Sequence, residues 1–453
     1  MKLTIDVSVR YGKFSGIGAS GAWWAQYTGG WDDTDPLSGI PVRDRIAQLL
    51  YSKENGIGMQ TYRYNLGAGS AESGKGEYSD LARRAFSLEK DGAFDETADA
   101  NAVYMMKKCA SEGAEEIVLF VNSPPERLTK NGMAHLKKHA VFRTNLAKKN
   151  YVAFADYCLN AAAHFVNEGL PVKYISPVNE PLWIWNGGQE GCHYSLRQVS
   201  AVFKCFARKM AGRPELDGVK LSGAENGDIR WFNKSYTRRL LGPTEIRKSL
   251  DGIDIHSYCL PSPLPRFFNN RKAYLERYAK WMKKHYPDAD IKMSEWCHMK
   301  GGKDAGMDSA MEFMKVFYED ISILNVSSWQ HWIACSMYDY CDGLIYIDLE
   351  KHTYELTKRY YATGNISKYL PRNAVRVKAQ TDDNDVKALC FTNNRETLTV
   401  LINFSENEKK TVFSQNALIA VTDKNSSLEE RRIQSGESLV IPPRSVISVI
   451  FGR

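Results

Sequence analysis

The stretch that decides the fold is KYISPVNEPLW, Lys173–Trp183. Tyr174, Ile175 and Val178 suit a short buried strand, because aromatic and β-branched side chains fit a pleated, packed surface. Pro181 has no N–H to give to a ladder, so pairing cannot continue past it. The strand therefore ends on Glu180, with Asn179 before it and Trp183 and Trp185 just beyond. A lone glutamate in that position reads as a surface carboxylate. A second stretch, DIKMSEWCHM (Asp290–Met299), changes the reading: it too runs from an apolar strand into a glutamate, Glu295, and then Trp296. Two strand-end carboxyl groups beside aromatics are the minimum equipment for splitting a glycosidic bond.

Outward from these two stretches, strands and helices alternate. The strands are SGIGASGAWW, GMQTYRYNLGAGS, EEIVLFVNSPP, the Glu180 strand, VKLSGAENG, GIDIHSY, the Glu295 strand and VSSWQHWIA. Between them the apolar spacing predicts helices over Pro41–Lys53, Ala98–Glu112, Tyr151–Glu168, Ser195–Met210, Arg271–His285, about Asp308–Ile323 and Thr357–Leu370, with only a weak signal after the fifth strand. Eight such units predict an α/β fold, a (β/α)8 TIM barrel over residues 13–370, whose reactive groups gather at the C-terminal strand ends. Gly67–Phe94 is too long for a plain connector and reads as a binding element or lid. Beyond Pro371 short strands alternate with Asn, Asp, Gly and Ser turns. This predicts an all-β sandwich side domain over residues 371–453, joined by an N-terminal strand within residues 1–12. No aromatic platform stands out in its strands, so it reads as a buttress before a sugar-binding module.

Composition narrows the classes. The 453 residues carry 60 basic against 53 acidic side chains, a net +7 spread along the chain, which is a solvated surface and not a nucleic-acid footprint. Gly16, Gly18 and Gly21 match GxGxxG, but Trp23, Trp24, Tyr27 and Trp31 follow where a helix should receive a pyrophosphate, so the dehydrogenase reading is set aside. His135 and His139 lie four apart without the glutamate a zincin needs, and no metal or cofactor is expected. Nine cysteines, an odd number without a CxxC pair, argue against a disulfide framework. No apolar run reaches membrane-span length, and MKLTIDVSVRYG lacks the apolar core of a signal peptide. The expected protein is cytoplasmic, or secreted with its leader removed, and of bacterial source; its oligomeric state is not encoded in any motif.

Strung together, GIGASGAWW, RYNLGAGS, NSPPERLTKNG, ISPVNEPLW, IHSY, MSEW and SWQHW resemble glycoside hydrolase family 30 of clan A, along the whole chain. The resemblance implies an eight-fold barrel with a β-sandwich, Glu180 as acid/base and Glu295 as nucleophile of a retaining mechanism. On that assignment Glu295 needs Arg63 and Tyr258 to stay ionised, and Asn179 would hold the sugar 2-hydroxyl. His256 would orient either acid. Glu225, ending strand five, is the substitute if one of the pair is misassigned. Trp23, Trp24, Trp183, Trp296 and Trp332, and also Trp231, could stack on sugar rings. Asp228, Glu126, Glu190 and the Asp32, Asp33, Asp35 cluster read as loop caps or subsite hydrogen bonders. GAWWAQ and RYNLGAG are similar to the endo-β-1,6-galactanase branch, which points to β-1,6-galactan or its oligosaccharides. The alternatives are another family 30 specificity (β-1,6-glucan, xylan, β-glucosyl or β-xylosyl substrates) or a non-catalytic carbohydrate-binding barrel.

Overall fold

The computed structural model describes residues 1–140, 142–259 and 270–452. Its centre is a nine-stranded parallel sheet. In chain order the barrel strands are Gly16–Ser20, Thr61–Asn65, Glu116–Phe120, Val172–Ser176, Lys220–Leu221, Ala224–Asn226, Ile253–His256, Ile291–Trp296 and Ser328–His331. Lys220–Leu221 and Ala224–Asn226 are two halves of one fifth strand. The first half pairs with the fourth strand and the second with the sixth. The two ends of the sheet thus belong to one continuous piece of chain, and the barrel closes with eight-fold topology.

The helices fall where the spacing places them, with short adjustments at their ends. Pro41 stands just before Val42–Tyr51, and Ser195 caps Leu196–Met210 in a reciprocal capping box with Gln198. The weak fifth unit resolves into two short helices, Asn233–Leu241 and Thr244–Ser249. One expectation is corrected. The fourth strand stops at Ser176, because Pro177 and not Pro181 is the first residue without an N–H. Asn179 and Glu180 therefore sit on the loop above the strand, free to adopt backbone angles a strand forbids.

The eighth unit carries an insertion that the strand pattern did not reveal. After Trp332 the chain builds a separate three-stranded sheet, Ile333–Ser336, Gly343–Asp348 and Thr353–Leu356, before the last helix, Lys358–Ser367. Beyond it lies an antiparallel seven-stranded sheet with a two-stranded companion, Lys409–Val412 and Ser438–Ile441. The N-terminal strand Leu3–Lys13 pairs antiparallel with Val375–Thr381 as its edge. Val386, Leu401, Ile419, Ile433, Leu439, Ile447 and Val449 form the core of this module. It docks on the last barrel helix, where the Asn365 amide donates to the Ala420 carbonyl and the Ser448 hydroxyl, both at 2.9 Å. Phe14 meets Phe391 with ring centroids 5.0 Å apart at the same junction.

Candidate active site

A cleft of about 850 Å³ opens at the C-terminal ends of the barrel strands. Glu180 and Glu295 both line it, with Asn179, Tyr258, Trp23, Trp183 and Trp332. Oxygens of the two carboxyl groups lie within 4.8 Å of each other and of a His256 nitrogen. Residues 115 positions apart in the chain meet because strands four and seven stand across the barrel mouth.

Beneath the two acids lies a buried charge cluster. Arg63, on the second strand, is fully buried and donates to Glu295 at 2.9 Å, to Glu225 and to the Asn179 side-chain oxygen at 3.3 Å. His256, also fully buried, bridges Glu180 through Nδ1 at 2.8 Å and Glu225 through Nε2 at 2.9 Å, and its Nδ1 lies 3.4 Å from Glu295. Tyr258 donates its phenol to Glu295 at 3.2 Å. Asn179 is steadied in turn by donating to Asn122 at 3.0 Å. Stripping that many charges of water is costly, and only mutual pairing in close geometry offsets the loss. Here Arg63 meets two carboxyl groups and His256 three.

The electrostatics follow from that packing. Burial pulls the His256 imidazole down, but Glu295, Glu180 and Glu225 outweigh it and raise its pKa to about 10, so both ring nitrogens carry protons. Burial pushes Glu225 up, yet Arg63 and His256 draw it down further and leave it ionised. Glu295 is pushed up to about 7 by burial and by Glu180 and Glu225, against the pull of His256 and Arg63. Three carboxyl groups against two cations leave one carboxyl without a counter-charge. Glu180 and Glu295 flank the same ring nitrogen, Nδ1 of His256, at 2.8 Å and 3.4 Å.

Backbone geometry aims Glu180 into the cleft. It takes a left-handed φ of 41°, a conformation that costs a non-glycine residue free energy. Its N–H donates to the Glu225 carbonyl at 2.9 Å and its carbonyl accepts from the Trp185 indole at 3.0 Å, which hold the turn. Gly227 leaves the space: a Cβ there would come within 2.5 Å of Glu180 Oε1 and 2.4 Å of Trp183 Nε1.

Several expected ligand contacts take other places. Arg63, His256 and Glu225 do not line the cleft; each is fully buried and acts on the two acids from below. Glu225 is bonded to Arg63 and His256 beneath the cleft, the position of a counter-ion. Trp24 is fully buried, its indole N–H donating to the Ser20 carbonyl at 2.8 Å, because the left-handed turn at Trp23 (φ 69°) sends the two neighbours different ways. Trp296 is 7% exposed and packs against Trp329 under the seventh strand end, outside the cleft lining. Glu190 accepts from the Ala68 backbone N–H and the Ser70 hydroxyl and so ties down the long second loop, whereas Asp228 pairs with Arg230. His135 accepts from the Glu77 N–H at 3.0 Å and bonds the Leu136 carbonyl at 2.7 Å, a structural part.

The cleft also recruits residues no motif singled out: Arg83 from the second loop, and Tyr338, Asp339, Tyr340 and Asp342 from the insertion after strand eight. The Arg83 guanidinium sits 4.4 Å over the Trp23 ring and pairs with Asp80 at 3.1 Å. The signal for the insertion residues is density: SMYDYCDG, which begins four residues after Trp332, sets two tyrosines and two aspartates together. Cys297 is a buried wall residue whose thiol burial pushes up, as expected of an unreactive sulfur. All nine cysteines are unpaired.

Among the described residues two groups have metal-ligand spacing, Glu96–His164–Glu168 and Glu180–His256–Glu295. Lys107 stands in the first, 2.9 Å from Glu96 and 3.0 Å from Glu168. In the second, His256 is held as a proton donor to Glu180. Among the described residues no helix is long and apolar enough to cross a membrane.

The family model of O-glycosyl hydrolase family 30 matches residues 1–346. An endo-β-1,6-galactanase of Hypocrea rufa is 27% identical over 282 residues, covering 55% of this chain and 56% of the galactanase. The match thus spans about half the length of that relative. A crystal structure of a conserved exported protein from Bacteroides fragilis has the same fold, with a TM-score of 0.86 at 20% identity over 99% of this chain and 100% of that one. A family 30 subfamily 8 xylanase from Clostridium acetobutylicum superposes with a TM-score of 0.72 at 18% identity over 99% of both chains. The family model covers well over half of the sequence and its barrel, and the chain belongs to O-glycosyl hydrolase family 30.

Proposed function

We propose that this glycoside hydrolase is a retaining β-glycosidase acting on β-1,6-linked galactan or its oligosaccharides, with Glu180 as acid/base and Glu295 as nucleophile. The observation that carries the mechanism is the spacing: the two carboxyl groups approach within 4.8 Å in one cleft. Retaining enzymes hold their pair about 5–5.5 Å apart, whereas inverting enzymes leave about 6.5–9.5 Å for a water. Glu295 is the natural attacker because Arg63 and Tyr258 both donate to it, and those bonds favour an anion as it forms and leaves the glycosyl bond. Glu180 has no arginine partner and bonds His256, with Trp183 and Gly227 beside it, which leaves it to serve as the proton donor. Asn179, held between Arg63 and Asn122, is the donor for the 2-hydroxyl. The galactan assignment rests on the resemblance of GAWWAQ and RYNLGAG and on the Hypocrea rufa relative.

The test is a panel of β-linked galacto-, gluco- and xylo-oligosaccharides, with the first-formed anomer followed by proton NMR. Fastest turnover of β-1,6-galacto-oligosaccharides with β product is the expected result. Inverted product removes the mechanism, and activity confined to xylan removes the galactan assignment. A binding protein on the same barrel is distinguished by Glu180→Gln: a lectin keeps its affinity and shows no turnover to lose, whereas the enzyme loses most turnover on substrates with poor leaving groups.

A further inference from the structure

Among the described residues Asp342 is the cleft-lining carboxyl whose chemistry the two-glutamate mechanism leaves unused and whose bonding is incomplete. It lines the same cavity as Glu295, Trp332 and Tyr340. Its side chain is 6% exposed, and its Oδ1 has no hydrogen-bond partner. Among the described residues no lysine, arginine or histidine forms an ion pair with it, and burial pushes its carboxyl above the usual range. A buried carboxyl oxygen left without a donor is costly, so native structures rarely keep one without a use.

The mounting is rigid. Arg359, buried and charged, donates to the carbonyl of the next residue, Gly343, at 3.0 Å and 2.7 Å. Cys341 donates its N–H to the Lys300 carbonyl at 2.9 Å, and Tyr346 donates to the Tyr340 carbonyl at 2.8 Å. Gly302 and Lys303 clamp Asp339 from the other side at 3.0 Å and 2.8 Å. The turn is fixed before any ligand arrives, which is what a recognition group requires.

The charge of the cleft decides what could satisfy Asp342. Among the described residues its lining acids are Glu180, Glu295, Asp339 and Asp342, and the lining guanidinium, Arg83, is already paired with Asp80. An anionic sugar would meet carboxylates there. A neutral, hydroxyl-rich ring brings donors and no charge.

We propose that Asp342 is a specificity-determining residue of the cleft, its carboxyl accepting hydrogen bonds from ring hydroxyls of a bound neutral sugar unit. The proposal rests on the carbohydrate reading of the cleft but not on which glutamate attacks.

The test pairs Asp342→Asn and Asp342→Ala with substrates lacking one hydroxyl at a time, starting from β-1,6-galactobiose and moving to the β-linked disaccharide the wild type turns over fastest. Binding by calorimetry accompanies kcat/KM, and thermal melting checks that both variants fold. For the wild type, removal of one particular hydroxyl is expected to cost about 10- to 100-fold, the worth of a hydrogen bond to a charged acceptor. Asp342→Ala should lose the same factor on the intact sugar and nothing further when that hydroxyl is missing, a pattern a merely structural role would not produce. Losses that multiply for every hydroxyl, or variants as active as the wild type, overturn the proposal. Sugar binding with the hydroxyl signature but no hydrolysis sustains Asp342 and removes the catalytic reading. Neither binding nor turnover of any sugar removes both.

Discussion

The buried position of Glu225 makes a prediction that separates a counter-ion from a catalytic acid. In Glu225→Gln the amide oxygen can keep the acceptor site now used by Arg63, His256 and Ser294, while the amide nitrogen takes the place of Oε1, which has no partner. The shape survives and one negative charge disappears. Glu225 is among the groups that raise Glu295, and both bond to the same guanidinium. Two charges about 6 Å apart at an effective dielectric of about 20 repel by about 3 kcal/mol. That is about two pKa units at most, and about one to two after relaxation of the cluster. Under the proposed mechanism the active state needs Glu295 ionised, and in the wild type burial and its acidic neighbours raise its pKa to about 7. Removing a negative neighbour favours the ionised form, so that pKa falls. The acid limb of kcat/KM should therefore move to lower pH by about one to two units, measured on the wild type's best oligosaccharide. At its new optimum the variant should keep most of its turnover, because Glu225 does not line the cleft. A limb that stays in place or moves upward would refute this account of the cluster, and a total loss of turnover in a folded variant would make Glu225 a reacting group after all.

Three further outcomes are expected. Gly227→Ala places a methyl where it would come within 2.5 Å of Glu180 Oε1, so the acid must shift; a displacement of that order costs about 10²-fold in kcat/KM, and unchanged kinetics would show that Glu180 is not held in its reactive position. Glu295→Ala should lose turnover and recover it with azide, yielding a glycosyl azide of α configuration; recovery in Glu180→Ala with that product instead would exchange the two roles. Stability should fall between about pH 6.5 and 10 by up to about 5 kcal/mol through His256, whose folded pKa is raised from 6.5 to about 10, so its contribution is complete below 6.5 and lost as pH rises through 10. Glu295 adds no slope above 7, since its burial cost sets in from about 4.5 and is complete by about 7. Urea denaturation of wild type and His256→Gln at pH 7 and 10 isolates the term, and equal slopes for both would remove it.

What the sequence discloses here divides by the kind of physics that places each residue. Glu180 and Glu295 were legible because a strand end followed by aromatics is a local signal, and eight-fold closure fixes which strand ends face each other. Arg63 and Tyr258 followed from the same strand logic. The roles within the cluster were not legible. Glu225 and Glu180 both follow apolar runs and both take left-handed positions, with φ of 49° and 41°, yet Glu225 lies within the strand Ala224–Asn226 and Glu180 on the loop beyond Ser176. Trp23 and Trp24 are likewise indistinguishable by residue type, and the turn between them decides which one meets the cleft. The insertion after Trp332 was invisible as a site because strand periodicity describes a sheet and not the turn that leaves it. Yet Tyr338, Asp339, Tyr340 and Asp342 complete the cavity. The charge cluster beneath Glu180 and Glu295 is held by the barrel strands, where register leaves little freedom, whereas the groups that would choose a sugar on the proposed reading stand on two loops whose shape depends on long-range clamps such as Glu190 to Ser70 and Arg359 to Gly343. Substitutions in those clamps should alter substrate choice before they alter the chemistry, because they move the wall and leave the cluster under Glu180 and Glu295 intact.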